Sequence, residues 1–352
     1  MADPGFLFGP GPLGHWDDAY TSCPVVRRAA DGYRMWYYGR EHGFPQLAPE
    51  QEREALPMGR SGLAISRDGF QWQKVPGPGY HGSVLDPNPL PGQFDSFQVG
   101  ITDVLLVGTE YRIYYQGGRL GSQRQGERIR PGFPLAIGLA LSPDGLHLRR
   151  LPGPAPDGAW LSPGRAGEWD EWYVAFPRVN WLPSLGYRLT YSGAGPGGSA
   201  IGVADSPDGL QWEKRGPVFF PTTDPTAFDS RSVGSRCIIS YGGRYLMAYE
   251  AVDQAGHFRI GLAESDDLLG WQRLRGRGPG GALIGYGAAE SFDEQAMGTP
   301  YLLAEPGGSL KLYYVGFNAQ GRSGIGLLLC DGRDITRWER YQPPPPRPDP
   351  AG

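Results

Sequence analysis

What most constrains this chain is a stretch that it repeats. Ala200-Ile201-Gly202-Val203-Ala204-Asp205-Ser206-Pro207-Asp208-Gly209-Leu210-Gln211-Trp212-Glu213-Lys214 reads as a strand, a Ser-Pro-Asp-Gly turn and a second strand. Pro207 presets φ for the first corner, Asp208 can bond back to its own backbone, and Gly209 supplies the positive φ that closes the hairpin. Copies run from Ser61 to Lys74 and from Ala136 to Arg150, with Leu148 in the Trp place. A fourth runs from Arg259 to Leu274, where Ser265-Asp266-Asp267-Leu268 lacks the glycine; the last, Gly324 to Arg340, is degenerate and longer at its turn. Five copies at a period of about sixty residues define a repeat architecture, because each unit is too small to bury a core alone and must stack on its neighbours.

Each unit keeps one internal order. It opens on an aromatic-Asp pair: Trp16-Asp17, Phe94-Asp95, Trp169-Asp170, Phe228-Asp229 and Phe292-Asp293. A short apolar strand follows, for example Thr102-Asp103-Val104-Leu105-Leu106, then a turn, then a strand carrying tyrosine near its end, such as Tyr33-Arg34-Met35-Trp36-Tyr37-Tyr38-Gly39. The repeated hairpin completes four antiparallel strands. Such units arranged radially make an all-β, five-bladed β-propeller, which leaves only short protected edges. An open β-solenoid is the alternative, but its coils are shorter and lack this hairpin grammar. The propeller is expected over residues 1–342, with a polyproline II tail over 343–352. Phe6-Leu7-Phe8 reads either as an outer strand that closes the ring on the last repeat or as a surface loop.

Composition agrees with many short strands and tight turns: 56 Gly, 35 Pro and 12% aromatic residues in 352. A net charge of −4 gives no basic face for nucleic acid. Three widely spaced cysteines without a CxxC pair argue against a disulfide framework and a zinc site, and Cys23 and Cys237 read as buried small hydrophobes. The start of the chain has no signal-peptide pattern and no apolar run reaches membrane-spanning length, so no membrane association and a cytoplasmic location are expected. No P-loop, dinucleotide fingerprint, HExxH or nucleophile elbow is present. Neither a cofactor nor a metal is expected, and the oligomeric state is not legible.

The repeat grammar of aromatic-Asp, a strand with an inner Pro-x-Val, Tyr-Arg-Met-Trp-Tyr-Tyr-Gly, and Ile-Gly-Val-Ala-x-Ser-Pro-Asp-Gly-Leu-x-Trp resembles the five-bladed glycosidase superfamily. That group includes the arabinanase, levansucrase and invertase relatives of glycoside hydrolase families 43, 32 and 130. The resemblance covers Trp16 to Trp338. It implies a polar central funnel where carboxylates cleave or phosphorolyse a glycosidic bond, with a small glycan or glycoside as partner and phosphate as a second one. The chain departs from the catalytic members at the start of the blade-1 inner strand, where Ser22-Cys23-Pro24 stands in place of Asp-Pro. That departure leaves a second reading open, a propeller that binds a glycan, small ligand or protein without cleaving. A third is a propeller repurposed for unrelated small-molecule chemistry.

Glycoside cleavage needs two carboxyl groups across the bond, one protonated and one ionised. Five equivalent aromatic-Asp pairs point to scaffold, but blade 1 has a doubled acid, His15-Trp16-Asp17-Asp18, and the resemblance implies a base or nucleophile from that blade. Asp17 or Asp18 is the candidate. Breaks in the repeat say more. Where three blades place Pro24, Pro177 and Pro300, blade 2 has Asp103 and blade 4 has Arg236; these two read either as a structural pair or as groups lining a site. Where other blades end their second strand in Tyr38, Gln116, Ser192 and Val315, blade 4 has Glu250. Partial burial there would raise its pKa, as a general acid requires; a salt bridge to Arg236 or another arginine is the bland alternative. Arg40 and His42 begin a long blade-1 insertion and Arg119 a blade-2 one, while Arg178 lies beside Pro177. These arginines suit planar anions or, equally, a solvated rim. Arg231 is a weaker candidate of the same kind, and Trp160 and Trp181 are weaker ones for stacking a sugar.

Overall fold

In a computed structural model, the structure describes residues 3–42, 59–119, 122–125, 128–131 and 134–342, with backbone alone for the two short stretches between 122 and 131. Five antiparallel four-stranded units form a ring. Blade 1 comprises β2 (Tyr20–Ala29), β3 (Gly32–Arg40), β4 (Arg60–Ser66) and β5 (Gln73–Val75). Blade 2 comprises β6 (Gln98–Val107), β7 (Glu110–Gly118), β10 (Leu135–Ser142) and β11 (Arg149–Leu151); the hairpin of β8 (Ser122–Gln125) and β9 (Arg128–Pro131) lies within its long insertion. Blade 3 comprises β12 (Tyr173–Leu182), β13 (Gly186–Gly195), β14 (Gly198–Ser206) and β15 (Glu213–Phe219). Blade 4 comprises β16 (Ser232–Tyr241), β17 (Arg244–Val252), β18 (Phe258–Ser265) and β19 (Gln272–Leu274). Blade 5 comprises β20 (Ala296–Ala304), β21 (Leu310–Phe317), β22 (Ser323–Cys330) and β23 (Glu339–Arg340). The innermost strands β2, β6, β12, β16 and β20 neighbour one another around the bore, β20 returning to β2.

The ring closes through the N-terminal stretch. β1 (Phe6–Phe8) pairs with β22 of the last blade, while Phe8 packs edge-on against Tyr37 of the first at 4.8 Å. Of the two readings of Phe6-Leu7-Phe8, the outer strand is the one observed. The short helix expected over 49–56 and the tail from 343 lie outside the described residues.

The repeated hairpin turn is held by two side chains. In blade 3, Ser206 Oγ accepts from Gly209 N at 2.9 Å, and Asp208 Oδ1 accepts from Leu210 N at 2.9 Å and Gln211 N at 3.2 Å. Gly69, Gly145 and Gly209 sit at φ 77°, 80° and 76°, and Leu268, where the sequence has lost its glycine, adopts φ 64° at the same place. Each turn then docks on the preceding blade: Trp36 Nε1 donates to Gly145 O, Tyr114 OH to Gly209 O and Tyr313 OH to Gly69 O, all at 2.8–2.9 Å. The repeated turn is therefore both a hairpin and an inter-blade tie.

The aromatic-Asp pair locks the loop entering each blade onto that blade's face. Asp17 accepts from Tyr37 OH at 2.9 Å and Lys74 Nζ at 2.5 Å. Asp95 takes Tyr115 and Arg150, Asp170 takes Tyr191 and Lys214, Asp229 takes Tyr249 and Arg273, and Asp293 takes Tyr314 and Arg340. All five aspartates are buried. The preceding aromatic lies over glycines of the blade: a Cβ on Gly62 would come 2.2 Å from Trp16, and one on Gly261 would come 2.2 Å from Phe228. The apolar core fills the spaces between blades, with Trp36, Met35, Ile101 and Leu312 fully buried.

Candidate functional site

Inner strands begin and second strands end at the same face of the ring, as the pairings Tyr20 with Arg40 and Ser232 with Val252 show. There every inner strand carries a bulge, between Ser22 and Val25, Ile101 and Asp103, Ala175 and Arg178, Val233 and Arg236, and Gly298 and Tyr301. In three blades the bulge holds a non-glycine residue left-handed before proline: Cys23 (φ 49°), Phe176 (φ 52°) and Thr299 (φ 41°). Such a conformation costs about 1–2 kcal/mol per residue and persists only where surrounding contacts enforce it. It turns peptide N–H groups towards the preceding blade. Phe176 N donates to Gln116 Oε1 at 3.0 Å, and Thr299 N to Glu250 Oε2 at 2.7 Å.

Glu250 thus occupies the same structural place as Gln116, with a carboxyl where blade 2 has an amide. Its Oε2 also accepts from Ser235 Oγ at 3.1 Å. Gly298 makes room for it, since a Cβ there would come 2.3 Å from Oε2. Burial raises the Glu250 pKa, and the bonds from Thr299 and Ser235 offset this only in part. Among the described residues no ion pair reaches Glu250, and both of its hydrogen bonds fall on Oε2, so Oε1 is where a proton would reside. Among the described residues Glu250 forms no salt bridge with Arg236 or another arginine.

The other acids are engaged elsewhere. Asp17 is locked in its blade as its four equivalents are. Asp18 accepts from Gly14 N at 2.7 Å, His42 N at 2.8 Å and His42 Nδ1 at 3.0 Å. Burial would raise its pKa, but those bonds outweigh it and hold the carboxyl below the usual range. Asp103 is buried, pairs with Arg27 at 3.0 Å, and accepts from Val179 N at 2.7 Å. Asp103 and Arg236 do not form the structural pair that the sequence left open.

Two buried arginines, Arg178 and Arg236, bridge the inner strands of blades 3 and 4. Arg236 is fully buried and gives its donors to neutral oxygens of blade 3: Thr190 Oγ1 at 3.1 Å, Ser192 Oγ at 2.8 Å, and the carbonyls of Phe176 and Thr190. Burial and the neighbouring Arg178 push its pKa well down. Arg178 reaches from blade 3 past blade 4, donating Nε to Arg236 O at 2.6 Å, and lies 4.8 Å over the Tyr301 ring of blade 5. Side chains from non-adjacent blades meet across the axis and form a floor. A cleft of about 970 Å³ lies at the opposite end of the bore, between blades 1 and 2, where Arg27, Arg28 and Arg34 are paired with Asp103, Glu305 and Asp31. It is remote from Glu250.

Of the remaining candidates, Arg40 lies at the funnel mouth, 5.1 Å over the Tyr20 ring, and His42 is exposed against Asp18. Arg119 and Arg231 are exposed at the rim. Trp181 is exposed at the far end of β12, and Trp160 donates to Leu151 O, so neither stands beside Glu250. Cys237 is buried as expected, but Cys23 is only partly buried and sits in the bulge, its thiol raised to about 11 chiefly by burial. Sequence reasoning missed Tyr38, whose buried hydroxyl has no partner among the described residues, and Ser235, Thr299 and Gly298 around Glu250. The one available signal was glycine at 298, where blade 1 has Ser22 and blade 3 has Ala175.

No protein-family model matches the sequence, and no curated protein matches it. Among solved structures, the chain is similar to a glycoside hydrolase at 20% identity, covering 95% of this chain and 94% of that one, with a TM-score of 0.67. It is also similar to a thermostable family-43 glycoside hydrolase (17% identity, 98% and 99% covered, TM-score 0.62). A third is an N-acetylgalactosamine deacetylase from F. plautii in complex with blood group B trisaccharide (15% identity, 93% and 94% covered, TM-score 0.63). The fold is the five-bladed arrangement of the glycosidase-type propellers that the repeat grammar resembles.

Proposed function

We propose that the chain is a carbohydrate-active protein whose funnel takes a small glycan or glycoside and cleaves a glycosidic bond, with Glu250 as general acid. The observation that carries this reading is Glu250 itself. It is a carboxyl at the funnel, without an ion pair among the described residues, raised in pKa by burial, with one oxygen left to donate. A protonated acid placed beside a leaving oxygen contributes about 10²–10⁴ in rate. The full-length resemblance to glycan-acting propellers supports the substrate class. Water or phosphate would be the acceptor, and the cytoplasm remains the proposed location.

One observation favours a second reading, glycan binding without cleavage. Asp17, Asp18 and Asp103 are each held by a cation or by N–H groups, an arrangement that fits binding without an opposed catalytic carboxylate. Screening the purified protein against aryl glycosides and oligosaccharides, with and without phosphate, separates the two. Turnover that falls at least about 10²-fold in Glu250→Gln supports the acid role; unchanged turnover refutes it. Glycan binding without turnover supports the second reading.

A further inference from the structure

The floor of the funnel holds two guanidinium groups, those of Arg178 and Arg236, and the carboxylate nearest them, Asp103, is paired with Arg27 of the cleft at the opposite end. Burial keeps the Cys237 thiol and the Tyr301 phenol in their neutral forms, so neither answers the excess. Arg236 has its donors on neutral oxygens. Arg178 differs. It is 7% exposed, only its Nε has a hydrogen-bond partner among the described residues, and Nη1 is buried with none. A buried charged donor without an acceptor costs about 1–3 kcal/mol or more, and native structures rarely leave one without a purpose.

We propose that Arg178 is the receptor for an oxyanion at the funnel floor, either the carboxylate of an acidic sugar unit or a free oxyanion such as phosphate. The bond from Nε to Arg236 O and the Tyr301 ring fix the guanidinium plane. Its two Nη groups, neither of which has a partner among the described residues, form a planar fork that matches two oxygens of one anion. Arg178 lies over the Tyr301 ring, and Glu250 accepts from Thr299 N two residues earlier on the same inner strand, so the anion seat and the acid share one funnel. In naming an acidic sugar the inference rests on the carbohydrate reading above; the seat itself does not.

Calorimetric titration of the full chain with galacturonate oligomers, neutral galactose oligomers and inorganic phosphate tests it, in the wild type, Arg178→Met and Arg178→Lys. The wild type is expected to bind the acidic oligomer, or phosphate, at least about tenfold more tightly than Arg178→Met does. Preference for the acidic over the neutral oligomer identifies the anion as carried on the sugar; Arg178-dependent phosphate binding alone identifies a free anion. The proposal is overturned if the wild type binds neither anion or if Arg178→Met binds them as well. If Arg178→Met does not fold, Arg178→Lys decides, because an ammonium lacks the fork: binding weakened about tenfold supports the seat and unchanged binding overturns it. Neutral and acidic oligomers bound equally, with or without Arg178, would sink the seat and leave the carbohydrate reading standing. Phosphate bound through Arg178 with no sugar bound would do the reverse.

Discussion

At Glu250 burial and hydrogen bonding pull in opposite directions, and burial prevails. A carboxyl whose folded pKa exceeds its unfolded value binds more protons when folded, so its contribution to stability falls as pH rises from the ordinary glutamate range through the raised value. Glu250→Gln keeps an acceptor for Thr299 N and removes the titration. The wild type is therefore expected to lose stability relative to Glu250→Gln over that rise in pH, as read from chemical denaturation at a series of pH values. A constant difference would show that Glu250 does not titrate abnormally. That Glu250 breaks the repeat was legible in the sequence. That its oxygen would meet a peptide N–H of the next blade was not, because the bulge at Thr299 that aims this N–H is a property of the folded ring.

At the scale of the blade, one lock recurs: an aspartate, a tyrosine of the second strand and a cation of the fourth. Removing the charge leaves Lys74 or Arg150 without its partner, so Asp17→Asn and Asp95→Asn are each expected to cost about 3 kcal/mol of stability. Similar losses in thermal or urea unfolding would mark Asp17 as scaffold. A catalytic Asp17 would instead lose turnover with little loss of stability. Repetition in the sequence suggested this role for the aromatic-Asp pairs, but the tyrosine and cation that complete each lock lie about 20 and 50 residues further on, and their convergence depends on strand register. The hairpin turn was more legible because its chemistry is local. Leu268 shows how far the surroundings can enforce that shape, holding it without glycine as a buried side chain.

Across the whole molecule, ring closure depends on three residues at the start of the chain. Phe8 is buried between the last blade and Tyr37 of the first, whereas Phe6 is 38% exposed. Phe8→Ala is expected to cost about 3–5 kcal/mol and Phe6→Ala less, because only the first empties a packed site across the seam. Equal effects in thermal unfolding would mean that the seam does not rest on Phe8.

The sequence by itself determined the blade count, the hairpin chemistry and the positions where the repeat is broken, because turn preference and strand alternation act over a few residues. Only the tertiary structure decided what those breaks do. Asp103 meets Arg27 rather than Arg236, Arg236 is satisfied by neutral oxygens of blade 3, and Arg178 crosses the bore to Tyr301. These are contacts between blades. They are fixed by how bulged inner strands pack around a common axis, which no single repeat encodes.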